Sequence, residues 1–481
     1  MSNTKVTGQT IISGMFWRFG EKITAQMVSF IVSVVLARML TPHDYGIVGI
    51  VYIFIVIAEV FVTSGLGTAL IQKKDATPQD FSTLFWCNLA LSGVLYLLVF
   101  VCAPWIAAFY DIPLLTPVLR VCALRLPINA VNSIQNAFVS RHMDFKKFFF
   151  ATLIGTVISA VVGIVMAYRG CGVWALVAQM LTNTLIDTVV IFLTIQWKPA
   201  FVFSFERAKP LVSYGWKILS TDLLGTIFNY LNAFIIGKKY SSADLAYYNQ
   251  GNKIPELINN NVGSTLSAVL FPAMSINSDI GQIRQLRRKS LKMMEYIIFP
   301  LMLGLFCVAR NMILVIYTEK WLLSVPFIRI SCVAAIINVF GTTLIQEIKA
   351  IGRSDITLKM ELIKKPLFLV IILIAMNFGT KAIAFTLVIN SILAFCFNVY
   401  PVRKHIGFDF KMHFLDALPA FAMSLAMCAA VSVIGVMIKN CTVCLLCQVI
   451  SGGLVYVGLS ILTRNESYLY LKQIILNKVK R

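Results

Sequence analysis

Long apolar stretches separated by short polar ones run through the whole chain. Stretches of spanning length fall at about 13–36, 46–71, 83–103, 114–138, 148–168, 172–195, 211–237, 244–275, 291–317, 325–348, 362–378, 381–401, 415–438 and 442–463. A helix needs about 20 mostly apolar residues to cross the hydrocarbon of a bilayer. The pattern therefore predicts an all-α, polytopic membrane protein with about 14 transmembrane helices. The stretch at 362–378 is short and the one at 244–275 is long and polar, so these two fit the template least well. Of 481 residues, 58% are hydrophobic, which is enough for that many spans, and only 13% are charged. Soluble proteins carry about 25% charged residues. This composition excludes a soluble enzyme, a nucleic-acid-binding module and a disordered chain.

The net charge of +21 comes from 42 Lys and Arg against 21 Asp and Glu. In a membrane protein such an excess belongs on cytoplasmic loops, so no nucleic-acid partner is expected. With the N-terminus inside, 27 of these cations fall on the cytoplasmic side and 7 opposite, the rest lying within or at the ends of spans. Moving the frame by one span inverts the bias. The sequence therefore predicts an even number of spans and cytoplasmic termini. The first apolar stretch has no small-residue cleavage site after it and reads as a retained span. Most of the eleven cysteines lie inside apolar stretches, where they behave as small hydrophobes. Cys441, Cys444 and Cys447 form a CxxCxxC run without a nearby fourth ligand, so no metal site is expected. No GxxxxGK[ST] motif is present and all four histidines fall in loops, which argues against catalysis and for a secondary-type transporter.

The first and seventh spans resemble each other. Ser13–Val32 is similar to Ser213–Asn232, with Trp17-Arg18 matching Trp216-Lys217 at an offset of 199. The following turns, TPHDYG (Thr41–Gly46) and SSADLA (Ser241–Ala246), place Asp44 opposite Asp244 at an offset of 200. A repeat six spans apart predicts two six-helix lobes, 1–210 and 211–411, with two extra helices and a tail in 412–481. Parallel repeats of this kind place a transporter's substrate site between the halves.

Ionisable residues inside spans are costly and default to functional candidates. Arg18, Glu21 and Lys22 share one face of the first span, continued by Ala25, Ser29 and Ser33. Lys217, Thr221, Gly225, Asn229 and Asn232 form a stripe on the seventh, and Lys253, Glu256, Asn260, Ser264 and Ser267 one on the eighth. These stripes predict a polar cavity in which Arg18, Lys22, Lys217 and Lys253 take an anionic group such as a diphosphate, with Thr221, Asn229, Asn232 and Asn260 as polar lining. Glu21, Glu256 and Asp187 are candidate sites for a coupling cation, H+ or Na+. Asp222, Glu295, Arg310 and Glu347 are expected to snorkel or to pair across helices. Gly65, Gly67, Pro255 and Pro272 suit either hinges or close packing.

Several stretches carry a family resemblance: ISGMFW (Ile12–Trp17), VLARMLTPHDYG (Val35–Gly46), GLGTALIQKKDAT (Gly65–Thr77), QNAFVSRHMDFKK (Gln135–Lys147), GVWALVAQ (Gly172–Gln179), NYLNAFIIGKKYSSADLAYYNQ (Asn229–Gln250), LFPAMS (Leu270–Ser275) and EKW (Glu319–Trp321). The chain resembles the Wzx-type lipid-linked oligosaccharide flippases, within the multidrug/oligosaccharidyl-lipid/polysaccharide exporter superfamily, and especially members serving colanic-acid-like exopolysaccharides. The resemblance covers nearly the whole chain, fading past about Asp416. It implies an alternating-access flippase of a bacterial inner membrane. Such a protein moves an undecaprenyl-pyrophosphate-linked oligosaccharide repeat from the cytoplasmic to the periplasmic leaflet for exopolysaccharide, capsule or O-antigen assembly, where a polysaccharide polymerase extends it. The assignment of the four cations to pyrophosphate comes from the stripes, since the family motifs define no binding residue.

Two other classes compete. A cation-coupled multidrug exporter of the same superfamily is expected to have a more acidic and apolar cavity. A sugar polymerase or ligase is expected to carry a large periplasmic loop, and the external loops here are short.

Overall fold

Thr-Pro-x-Asp occurs twice, at Thr41–Asp44 and Thr77–Asp80, and each copy starts a helix with a reciprocal cap. The threonine hydroxyl accepts the aspartate N–H while the aspartate carboxylate accepts the threonine N–H, satisfying two otherwise orphaned donors. Proline at the first helical position adds its preset backbone angle. Ser241–Asp244 repeats the same geometry 200 residues after Thr41–Asp44, with the Ser241 N–H 3.2 Å from the Asp244 carboxylate. The sequence repeat is thus a structural one at these turns.

The computed structural model describes residues 8–73, 75–142, 145–276, 280–350, 353–405, 407 and 410–479. Seventeen α-helices and no strand occur among the described residues. The first nine are α1 (Gly8–Met39), α2 (Pro42–Thr63), α3 (Leu66–Gln72), α4 (Pro78–Tyr110), α5 (Leu115–Cys122), α6 (Arg125–His142), α7 (Phe145–Tyr168), α8 (Val173–Thr194) and α9 (Phe205–Lys239). There follow α10 (Ser242–Ile276), α11 (Ile280–Ile316), α12 (Val325–Ala350), α13 (Ser354–Ala375), α14 (Thr380–His405), α15 (Phe410–Met437), α16 (Cys441–Leu462) and α17 (Glu466–Val479).

Among the described residues eleven helices are long and apolar enough to cross a membrane, α2 and α3 counting together as one interrupted span. The three remaining predicted stretches correspond to α5–α6, α10 and α13. Their departure has a physical cause. The 114–138 stretch breaks near Ala123 into a short helix and α6, which carries Asn129, Asn132, Gln135 and Asn136; α10 and α13 are continuous helices whose apolar pattern is diluted by amide and charged residues.

By packing, the chain forms two compact units, Met1–Ala246 and Tyr247–Arg481. The repeat divides the sequence at 210/211, whereas α9 packs with the first unit, against α2, α3 and α4. In the first unit α7 packs on α1 and α8, and α4 on α6. It holds an aromatic cluster in which Trp197 stacks on Phe138, 5.8 Å between ring centroids, with Phe81 edge-on to Phe138 and tilted against Trp197. Gly65 ends the α2 span with φ +88, and a Cβ there would lie 2.4 Å from the Gly215 carbonyl oxygen of α9. It is therefore a close-packing glycine at a break. In the second unit α11 is central, packing on α12, α15 and α16, with α13 and α14 beside α12. Residues 412–481 thus contribute helices that lie against α11.

An ion-pair network ties α11, α15 and α17 together. Arg288 binds both oxygens of Asp416, one at 2.7 Å, and Lys292 reaches Asp416 at 3.3 Å and Glu466 at 2.7 Å. Asp416 is mostly buried and Glu466 mostly exposed, so the two are not equivalent. Asp416→Asn is expected to lower the melting temperature several degrees and Glu466→Gln by less than one. The Lys292 ammonium holds Glu466 below the usual carboxylate range. Its small contribution is thus present above that range and fades as pH falls through the lowered value. A melting series of the two variants between pH 4 and 7 checks both statements.

Candidate functional site

Polar side chains of the first unit meet inside the bundle of α1, α6, α7 and α8. The Thr152 hydroxyl lies 3.3 Å from Glu21 and 3.5 Å from Asp187. Asn132 donates to the Asp187 carboxylate at 2.8 Å and to the Thr188 hydroxyl at 3.1 Å. Asn183 extends the chain to Ser159 at 3.3 Å and Thr156 at 3.5 Å. Two of the three predicted coupling residues, Glu21 and Asp187, therefore share one hydroxyl although they lie 166 positions apart. That hydroxyl carries a single proton and can donate to one carboxylate at a time. The arrangement is suited to holding a proton or a small cation between the acids. Nearby, Glu59 pairs with Arg125 at 3.2 Å and accepts from Asn129 at 2.8 Å, an intramembrane charge neutralised across helices.

The predicted cationic stripes are distributed less simply. Lys22 is exposed on α1, and the side chain of Arg18 lies outside the described residues. Lys217, on α9, lies at a largely apolar cavity of about 540 Å³ with Lys209, Trp216, Phe203 and Phe205. Thr221 bonds back to the Lys217 carbonyl at 3.1 Å, Asn229 is exposed and Asn232 is buried. Arg120 lies over the Phe100 ring, 4.2 Å from its centroid, and Glu295 lies 3.9 Å from the His413 ring. The side chains of Glu347 and Pro272 lie outside the described residues.

Lys253, Glu256 and Asn260 belong to the second unit, each about one turn from the next on α10. Glu256 lines a cavity of about 260 Å³ with Ser331 and Asn338 of α12, Phe368 of α13, and Asn390 and Ser391 of α14. The Ser331 hydroxyl donates to Asn252 on α10. The Asn390 side-chain oxygen is buried and has no hydrogen-bond partner among the described residues. Asn338, Asn390 and the two serines escaped the sequence reading, which followed ionisable residues. The signal was present as lone amides inside apolar stretches, Ile337-Asn338-Val339 and Ile389-Asn390-Ser391.

Apolar helices with short loops, carrying carboxylates and amides inside each unit, are those of a multi-pass membrane protein. The model of a family described as polysaccharide biosynthesis protein matches residues 35–326, and the chain belongs to that family. It is 23% identical over 360 residues to the succinoglycan biosynthesis transport protein ExoT of Rhizobium meliloti (strain 1021), covering 75% of this chain and 73% of that protein. It is 23% identical over 444 residues to the lipopolysaccharide biosynthesis protein WzxC of Escherichia coli (strain K12), covering 89% and 88%. The fold is that of the lipid II flippase MurJ in its inward closed conformation, with a TM-score of 0.75 at 15% identity, covering 94% of this chain and 99% of that one. An inward-facing multidrug resistance MATE family transporter matches with a TM-score of 0.61 at 14% identity, covering 79% and 95%.

Proposed function

We propose that the protein moves an undecaprenyl-pyrophosphate-linked oligosaccharide from the cytoplasmic to the periplasmic leaflet of a bacterial inner membrane by alternating access, its termini in the cytoplasm. The observation that carries this reading is membership of a polysaccharide biosynthesis family in a chain built of apolar spans. Relatives named for succinoglycan and lipopolysaccharide biosynthesis support it. Arg18, Lys22, Lys217 and Lys253 serve the pyrophosphate, with Thr221, Asn229, Asn232 and Asn260 as polar lining. The shared hydroxyl of Thr152 supports a coupling role for Glu21 and Asp187, with H+ or Na+ as the driving ion. A polysaccharide polymerase takes the product on the far side.

The test combines deletion of the gene in its host with an assay of which leaflet holds the lipid-linked repeat. Build-up in the cytoplasmic leaflet is expected, restored by wild type. Asp187→Asn, which keeps the shape and one acceptor but removes the charge, is expected to lower transport at least tenfold at unchanged protein level. Normal surface polysaccharide with altered drug tolerance in the deletion strain overturns the reading and moves the protein to the multidrug exporters.

A further inference from the structure

The cavity at Glu256 is built for a particular chemistry. Its polar lining combines one carboxylate with three amides, Asn259, Asn338 and Asn390, and two hydroxyls, Ser331 and Ser391. No lysine or arginine stands among its lining residues, so a phosphate would meet a carboxylate without a counter-charge. A bare cation also fits poorly. The space of about 260 Å³ exceeds by several-fold the roughly 30 Å³ share of one water molecule. It lies near the lower end of small-molecule cavities, about 300–1,000 Å³, and suits one ring, not a chain of them.

What such a lining does satisfy is a set of neighbouring hydroxyl groups. A carboxylate accepts two hydroxyl protons side by side, and each amide offers two donors and an acceptor. The buried Asn390 oxygen lacks a donor, and a ligand hydroxyl supplies one, relieving the cost of an unmade bond. Phe368, with Ala334 and Ala335, gives an apolar wall against which the C–H face of a sugar ring lies. Position adds a second argument. Lys253 precedes Glu256 by three residues on α10, about 4.5 Å along the helix axis.

The geometry points to this cavity as a sugar subsite that takes the pyrophosphate-proximal residue of the lipid-linked oligosaccharide, beside a pyrophosphate held at Lys253. This inference rests on the flippase reading and deepens it. Glu256 then acts on the sugar, leaving ion coupling to Glu21 and Asp187.

Native mass spectrometry of the full-length protein in detergent tests it by competition. One ligand is the lipid-linked oligosaccharide extracted from a host deleted for the gene; the other is bare undecaprenyl pyrophosphate. Wild type is expected to prefer the sugar-bearing lipid by at least tenfold. Glu256→Gln and Asn390→Ala are expected to reduce that preference below about threefold while keeping the wild-type affinity for the bare lipid. Glu256 is exposed, so its isosteric variant is expected to melt like wild type. Equal binding of both lipids by wild type overturns the subsite and leaves the flippase reading standing. Variants that lose both lipids equally assign these residues to the pyrophosphate or to folding, and overturn it too. A sodium-dependent rise in melting temperature that Glu256→Gln abolishes makes the cavity a cation site instead. Failure of wild type to bind either lipid removes the flippase reading itself.

Discussion

Replacing Asp80 by alanine is expected to destabilise the first unit by about 2–4 kcal/mol, seen as a fall of many degrees in detergent melting and a lower yield of monodisperse protein. Asp80 is fully buried at the start of α4, where its carboxylate does three jobs. It accepts the Thr77 N–H at 2.8 Å and the Thr77 hydroxyl at 3.0 Å, closing the helix cap. It binds Lys73 at 2.9 Å and Arg207 at 3.4 Å, joining the segment after α3 and the start of α9 to α4. The two cations are 34% and 40% exposed, so without Asp80 they turn toward solvent and their pairing contributes modestly. The larger loss comes from the cap, because the half-buried Thr77 N–H and hydroxyl are left without their acceptor. Asp80→Asn keeps one acceptor oxygen and is expected to lose about half as much. A melting temperature for Asp80→Ala within a degree of wild type contradicts this account.

Asp80 also shows how far the sequence could be read. It stands three residues beyond the GLGTALIQKKDAT stretch that carries the family resemblance, and its role was encoded in a repeated Thr-Pro-x-Asp signature. Helical class and most spans were legible because apolar runs of spanning length have few alternatives. The stretches at 114–138, 244–275 and 362–378 were harder, since amides and charges that face neighbouring helices dilute the apolar signal. Site residues were legible only as faces of single helices. Helical spacing placed Arg18, Glu21 and Lys22 together, but it could not bring Glu21 to Thr152 and Asp187, because that meeting depends on how α1, α7 and α8 pack. The same limit applies to Lys217. A lysine between polar turns predicts a wet face, yet here it shares an apolar cavity with Trp216, Phe203 and Phe205, whose approach follows from the path of the chain before α9.

The second large effect is expected at Gly46. Its α2 backbone crosses the first turn of α10 so closely that an added Cβ would sit 1.8 Å from the Ser242 carbonyl oxygen. Both partners are backbone, so no side chain can swing aside, and the helix ends must separate by more than an ångström. The Ser242 hydroxyl meets the His43 ring at 2.7 Å in the same junction, and that contact breaks with the separation. The two reciprocal caps, Thr41–Asp44 and Ser241–Asp244, start the very turns that are brought together. Gly46→Ala is therefore expected to cost about 3 kcal/mol or more, and Gly46→Leu to leave no folded protein. Gly93 offers the opposite case. It lies inside α4 with no atom within 4 Å of an added Cβ, so alanine there removes only unfolded-state freedom and leaves stability unchanged or raises it by up to about 1 kcal/mol. Melting curves of the two alanine variants, measured side by side, separate a steric junction from a general intolerance of change. If Gly46→Ala melts with Gly93→Ala, the backbone contact between α2 and α10 does not hold the turns together. If it falls far below, the backbone contact between Gly46 and Ser242 holds the two repeated turns together inside the first unit.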